Sequence, residues 1–250
     1  MEIICDTNIW YNLGSGLIDS SVIKTGDKLV TTFNSIDEFA RTGNLLNCPD
    51  NTRKAIQCMF NYSSKHAIYE PPFIYWKIRN DSTFQYDILS NHKPILEFTE
   101  LIAKGHSIED SKKDEFRKLV NDRHDKLQKV ADFFNEHAQI IKPNIKDLKK
   151  HRRENSIPLN RELINLFVAN QTKTDGLSVD FDWSQVSLFE NTLKVFFNEV
   201  ETGAMTIVPN DWYDLFLLIY VNPGKKVWTR EKKWKMLITK AGMEEYLYEK

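Results

Sequence analysis

The β-prone runs of this chain lie at its two ends, and about 150 residues of helical pattern separate them. That separation limits the fold more than any other feature. Strands so far apart can share one sheet only if the two ends of the chain come together around it. Glu2 to Cys5 is a short apolar run that stops at Asp6-Thr7-Asn8, as a buried strand ending in a polar loop does. Lys28 to Thr32 is a second run, and Met205 to Val208, Lys226 to Thr229 and Met236 to Thr239 are three more. Asn34 and Ser35 are expected N-caps for a helix through Asp37, Glu38 and Phe39. The expected fold class is α/β: a sheet flanked by helices, with a large helical insertion.

The middle of the chain reads as helix. Between Ser107 and Ile141, Phe116, Leu119, Val120, Leu127, Val130, Phe133 and Phe134 recur at threes and fours among charged residues, the amphipathic pattern. Leu159 to Asn170 and Trp183 to Val200 read the same way, with Asp182 as a cap and Gln185 as its capping-box partner. Pro209-Asn210-Asp211 starts a helix expected to run to Val221. Nine glycines and eight prolines in 250 residues fall below average usage, roughly 12%. A turn-rich all-β chain is therefore not expected. The helical block from about 51 to 202 is expected beside the sheet's carboxyl edge.

Several function classes are excluded early. The longest apolar run, Leu215 to Val221, is far short of the roughly 20 residues a membrane span needs. The opening residues have neither a basic nor an apolar signal region, and three cysteines show no metal spacing, so a reduced, cytoplasmic protein is expected. The six histidines fall in the helical block without ligand spacing, which argues against zinc. No P-loop, Gly-x-Gly-x-x-Gly or Gly-x-Ser-x-Gly occurs.

The acids that follow the expected strands carry the functional reading. Ligands of open parallel sheets bind outside the carboxyl ends of the strands. Asp6 follows the first strand, Glu38 lies on the helix after the second, Asp211 and Asp214 open the helix after Met205 to Val208, and Glu231 lies two residues past Thr229. Carboxylates sharing a small site need a compensating cation and raise one another's pKa without it. Hard oxygen ligands suit Mg2+ or Mn2+. Such a site can activate water and stabilise the oxygen leaving a phosphodiester.

These pieces resemble the PIN-domain nucleases. Ile3-Ile4-Cys5-Asp6-Thr7-Asn8 is similar to that family's opening strand, and Thr31 to Phe39 to its second strand with a helical Glu. Asp211 to Ile219 is similar to its third-acid helix, and Val227 to Trp234 to its closing strand, where Thr-x-Asp precedes an aromatic residue. Glu231 stands where the family usually has Asp, and the spacing between Glu38 and the third acid is unusually long. The resemblance implies a single PIN-like domain over 1–250, its sheet and site built from 1–46 and 205–250 and its insertion from about 47–204. It implies a metal-dependent endoribonuclease acting on single-stranded or looped RNA, with Asp6, Glu38 and Asp214 holding one or two Mg2+ or Mn2+ ions. Asp211 and Glu231 would complete the pocket directly or through water, and Asn8 and Thr229 would orient ligands or the attacking water. Many relatives are toxins held inactive by a partner protein, so an inhibitory partner is an expectation, and a homo-oligomer stays open.

Net charge is −1, so any nucleic-acid signal has to be local. Lys225, Lys226, Arg230, Lys232 and Lys233 cluster around Glu231 with Trp228 and Trp234 among them, a pattern suited to phosphates and unpaired bases. Lys142, Lys146, Lys149, Lys150, Arg152 and Arg153 form a second basic stretch. Two other readings stay open: a non-catalytic PIN-like domain that binds RNA or protein, and a helical scaffold whose acids are incidental.

Overall fold

The computed structural model describes residues 1–63, 65–144, 160–178 and 180–248. Three short parallel strands form its sheet: β1 (Glu2–Cys5), β2 (Lys28–Val30) and β3 (Lys225–Trp228), in the order β2-β1-β3. Ile3 pairs with Leu29 and Lys226, Ile4 with Val30 and Val227, and Cys5 with Trp228. Ile68 bridges to Thr32 and Leu247 to Val227, which covers the outer edges of β2 and β3. The two ends of the chain thus meet on β1, and the strand order reverses there.

Successive strand residues face opposite ways, and the two faces have separate cores. Ile4, Val30 and Val227 join one cluster, Ile3, Cys5, Leu29 and Trp228 the other. A strand buried on both faces has to be apolar throughout rather than alternating, which is why Ile3-Ile4-Cys5 is an unbroken apolar run. On the second face lie α1 (Thr7–Gly14), α2 (Phe33–Ala40), α3 (Asn44–Asn47), α4 (Pro49–Ser63) and α6 (Ile88–Ala103). On the first lie α5 (Pro72–Asn80), a helix over 160–172 (α8), α9 (Ser187–Glu201), α10 (Asp211–Leu217) and α11 (Lys232–Lys240). The long middle of the chain is therefore not a lobe apart. It supplies helices to both faces.

The helix α7 (Lys113–Ile141) joins the two layers. Its 29 residues span about 43 Å at 1.5 Å each. Near its start Phe116 meets Phe98 of α6, and near its end Phe134 packs on Phe197 and Trp212. Between them Arg123 reaches α2 and α10. No helix among the described residues is long and apolar enough to cross a membrane.

Four expectations need correction. Met205 to Val208 is extended but is not a strand. The side-chain amide of Asn135 on α7 donates to the Ile207 carbonyl and accepts from its N–H, both at 2.9 Å, so a side chain takes the place of a sheet neighbour. Met236 to Thr239 belongs to α11, where Trp234, Leu237 and Ile238 are buried at helical spacing. The N-cap of α2 is Thr32, not Asn34 or Ser35, and the helix starts at Phe33. The helix from Asp211 ends at Leu217 and tightens into a 3-10 turn over Leu218–Tyr220. Asp182 does cap, but the turn it caps is the 3-10 segment Trp183–Val186 that precedes α9. Leu159 and the basic residues Lys146, Lys149, Lys150, Arg152 and Arg153 lie outside the described residues.

Ile4, at the centre of the sheet, is fully buried. Ile4→Ala is expected to cost about 2–5 kcal/mol and Ile4→Val about 0.5–1.5, read from urea unfolding. Equal losses for both would show that the β1 core tolerates a cavity and does not hold the layers together.

Candidate metal centre

The crevice where the strand order reverses is lined by acids. Asp6 leaves β1 at its carboxyl end and is the N-cap of α1, its carboxylate accepting from the Asn8 N–H at 3.4 Å. Glu231 leaves β3 and is the N-cap of α11. Asp214 lies in the first turn of α10. Carboxylate oxygens of these three lie within 4.8 Å of one another, with Asp6 buried and the other two half-buried. Glu38, on α2, stands beside this group rather than in it.

Each acid is held by a neutral donor. The Thr229 hydroxyl donates to Asp6 at 2.8 Å, and the Glu231 N–H donates back to that hydroxyl at 3.1 Å. The Asn8 amide donates to Glu231 at 2.6 Å. The Trp234 indole N–H donates to Asp214 at 2.7 Å, and its ring stacks on Phe196. The Thr7 hydroxyl donates to Glu38 at 2.7 Å. Such bonds fix a carboxylate's direction without cancelling its charge.

Cations go elsewhere. Among the described residues no ion pair engages Asp6, Glu38, Asp214 or Glu231, whereas the neighbouring acids are paired. Lys233 meets Asp211 at 2.5 Å, and Arg41 and Arg123 meet Asp37 at 3.0 and 3.4 Å. Asp211 also accepts from the Val208 N–H at 2.8 Å, so its carboxylate closes the turn into α10 instead of joining the cluster.

Crowding and burial act on the acids as expected. Burial pushes the Asp6 carboxyl up to about 7, the charges of Glu38 and Glu231 add to this, and the bonds from Thr229 and Asn8 oppose it. Asp214 is raised well above the usual carboxylate range, first by burial and then by Asp6 and Glu231. Glu38 is raised by burial, against the Thr7 bond and the nearby Arg123 charge. Converging hard oxygens with no paired cation match the needs of a divalent ion such as Mg2+ or Mn2+. The donor set of Asp6, Asp214 and Glu231 fits one.

The expected site is thus rearranged. Glu231 converges directly although it is the longer acid, because its Cα starts a helix and Asn8 holds its carboxylate. Asn8 and Thr229 are in place as supporting residues. Lys225 and Lys226 begin β3, so they lie at the amino edge of the sheet, away from the acids. There Lys225 pairs with Glu2 and Tyr75, and Lys226 reaches the Leu247 carbonyl. Lys233 is engaged by Asp211. Arg230 and Lys232 are exposed on either side of Glu231. Sequence reading missed Thr7, Trp234 and Arg123 as neighbours of the site. Trp234 was visible as the aromatic residue three places after Glu231, whereas nothing local marks Arg123. No protein-family profile, curated protein or solved structure matches the chain.

A raised carboxylate pKa costs folding stability once the group must ionise. Between about pH 4 and 7 the folded protein holds a proton on Asp6 that the unfolded chain has released, so this group's contribution improves as pH falls. In EDTA, Asp6→Asn is therefore expected to be more stable than the parent at pH 8, with the gap closing towards pH 5. Thermal unfolding across that range measures it. A gap independent of pH would show that Asp6 ionises normally.

Proposed function

We propose that this protein is a Mg2+- or Mn2+-dependent nuclease with a PIN-like acidic site, cleaving single-stranded or looped RNA. One observation carries the reading: Asp6, Asp214 and Glu231 converge, without a paired cation among the described residues, at the point on the sheet edge where the strand order reverses. Crevices of this kind are where open α/β sheets bind ligands. The resemblance of four separate segments to PIN-domain nucleases points to phosphodiesters among the possible substrates.

When bound, a divalent ion supplies charge stabilisation at the phosphoryl oxygens and a more acidic water. The chain's own residues supply position. Thr229, Asn8 and Trp234 fix one oxygen each of Asp6, Glu231 and Asp214; the second oxygens of Glu231 and Asp214 are left to the crevice, and that of Asp6 accepts the longer 3.4 Å bond from the Asn8 N–H. Because these donors are neutral, the negative charge that recruits the ion is kept. Thr7 holds Glu38 at the border, where it can orient water beside the reacting phosphate. Arg230 and Lys232 flank Glu231 and meet the phosphates of the strand.

Asp6→Asn and Glu231→Gln are each expected to lower cleavage of a labelled RNA set by at least about 10²–10³, with both variants folded. The two losses should be similar, since both acids belong to the converging group. Lys225→Ala should cut as the parent does, since Lys225 lies at the opposite edge. Undiminished cleavage by Asp6→Asn would place any activity elsewhere. A parent protein that binds these RNAs with metal but cuts none would be a non-catalytic binding domain.

A further inference from the structure

A cavity of about 490 Å³ opens beside α2, on the helix face next to the one that carries Glu38. Phe33, Tyr86 and His92 supply three rings to its wall. Phe33 lies 4.5 Å from the His92 ring, centroid to centroid, and Tyr86 lies 5.8 Å from it. The Tyr86 hydroxyl and His92 Nε2 are 2.7 Å apart, which ties the rings into one surface. Burial keeps the His92 pKa below its usual value, so the ring presents a neutral face. Asn170 and Gln171, exposed at the end of α8, put side-chain amides on the rim. Two cations also line the cavity: Asp37 holds Arg41 at 3.0 Å, and Lys173, exposed at the rim, donates to the Asn170 side chain at 3.3 Å.

The three rings and the rim amides suit a planar heterocycle, and Lys173 at the rim suits the phosphate attached to it. Aromatic faces stack on any base. Side-chain amides offer both donors and acceptors to a base edge. The volume falls within the usual range for small-ligand pockets. Phe33 and Glu38 are five residues apart on one helix, about 7.5 Å along its axis and about 140° around it, so one helix carries both the cavity wall and the acid that borders the crevice. Asn34, on the same helix, donates to the carbonyl of Tyr213, the neighbour of Asp214, so α2 is fixed relative to the acids.

We propose that this cavity is a subsite for an unpaired nucleobase of the strand held at the acidic crevice. The inference rests on the phosphodiester reading of that crevice. It makes an extruded base a requirement, so single-stranded substrate is expected to be preferred over duplex.

Calorimetry with AMP, UMP and ribose 5-phosphate in Mg2+ tests it, because none of the three contains a diester to be cleaved. The mononucleotides are expected to bind about 5–150-fold more tightly than ribose 5-phosphate, the range that stacking on an aromatic side chain gives. Tyr86→Ala and His92→Ala should erase that difference, and Gln171→Ala, on the exposed rim where folding is unaffected, should reduce it. Tyr86→Phe, which keeps the ring, should retain most of it. Equal binding of all three probes, no binding of any, or a difference untouched by these variants would overturn the subsite. Cleavage of RNA is scored separately. A protein that cuts RNA but ignores the base keeps the nuclease reading and loses the subsite. Base-dependent binding without cleavage does the reverse.

Discussion

The carboxylates gathered at the carboxyl end of β1, with no paired cation among the described residues, are the constraint around which the rest of the molecule is arranged. Asp6, Asp214 and Glu231 are held close together, and burial makes their mutual repulsion more costly than it would be in water. A fold selected only for stability would place a lysine or arginine among them. This chain has cations nearby and directs them to Asp37 and Asp211, the two adjacent acids outside the group. The four site acids receive a threonine hydroxyl, an asparagine amide, an indole N–H and a second threonine hydroxyl instead. Raised carboxylate pKa values are what such an arrangement produces without a bound cation, and they identify candidate functional groups when they coincide with a cleft.

The fold supplies the order needed to keep that charge in place. Three strands with β1 at the centre bring Asp6 and Glu231 to adjacent strand ends, although 225 positions separate them in the chain. Two independent cores clamp the sheet from either side. Helix α7 spans both layers and presents Arg123 to Asp37 and to the Tyr213 ring, at the junction of α2 and α10. The central part of the chain is therefore scaffold for the crevice as well as an addition to the sheet. It also builds the aromatic cavity beside α2, through Tyr86, His92 and the end of α8.

Much of the sheet and of the site was legible in the sequence, for local reasons. The unbroken apolar run Ile3-Ile4-Cys5 followed by Asp-Thr-Asn marks β1 and its acid, and the Val-Trp-Thr run marks β3 and Glu231. What was not legible depends on contacts distant in the chain. Asn135 satisfies Ile207 and removes the need for a strand there. Lys233 claims Asp211, which the sequence offers beside Asp214 as a further acid of the pocket. Met236 to Thr239 has β-prone composition, but burial of Trp234, Leu237 and Ile238 on one face decides for helix. The basic cluster around Glu231 was divided by strand direction: two of its lysines sit at the wrong edge of the sheet, which charge counting cannot detect.

Whether the acids are a metal site is the question on which the account turns. Anomalous diffraction from crystals grown with millimolar Mn2+ addresses it without relying on any substrate. The account predicts a peak bonded to carboxylate oxygens of Asp6, Asp214 and Glu231, absent from crystals of Glu231→Gln. An ordered crevice with no peak among these acids, or Mn2+ bound only elsewhere, would contradict it.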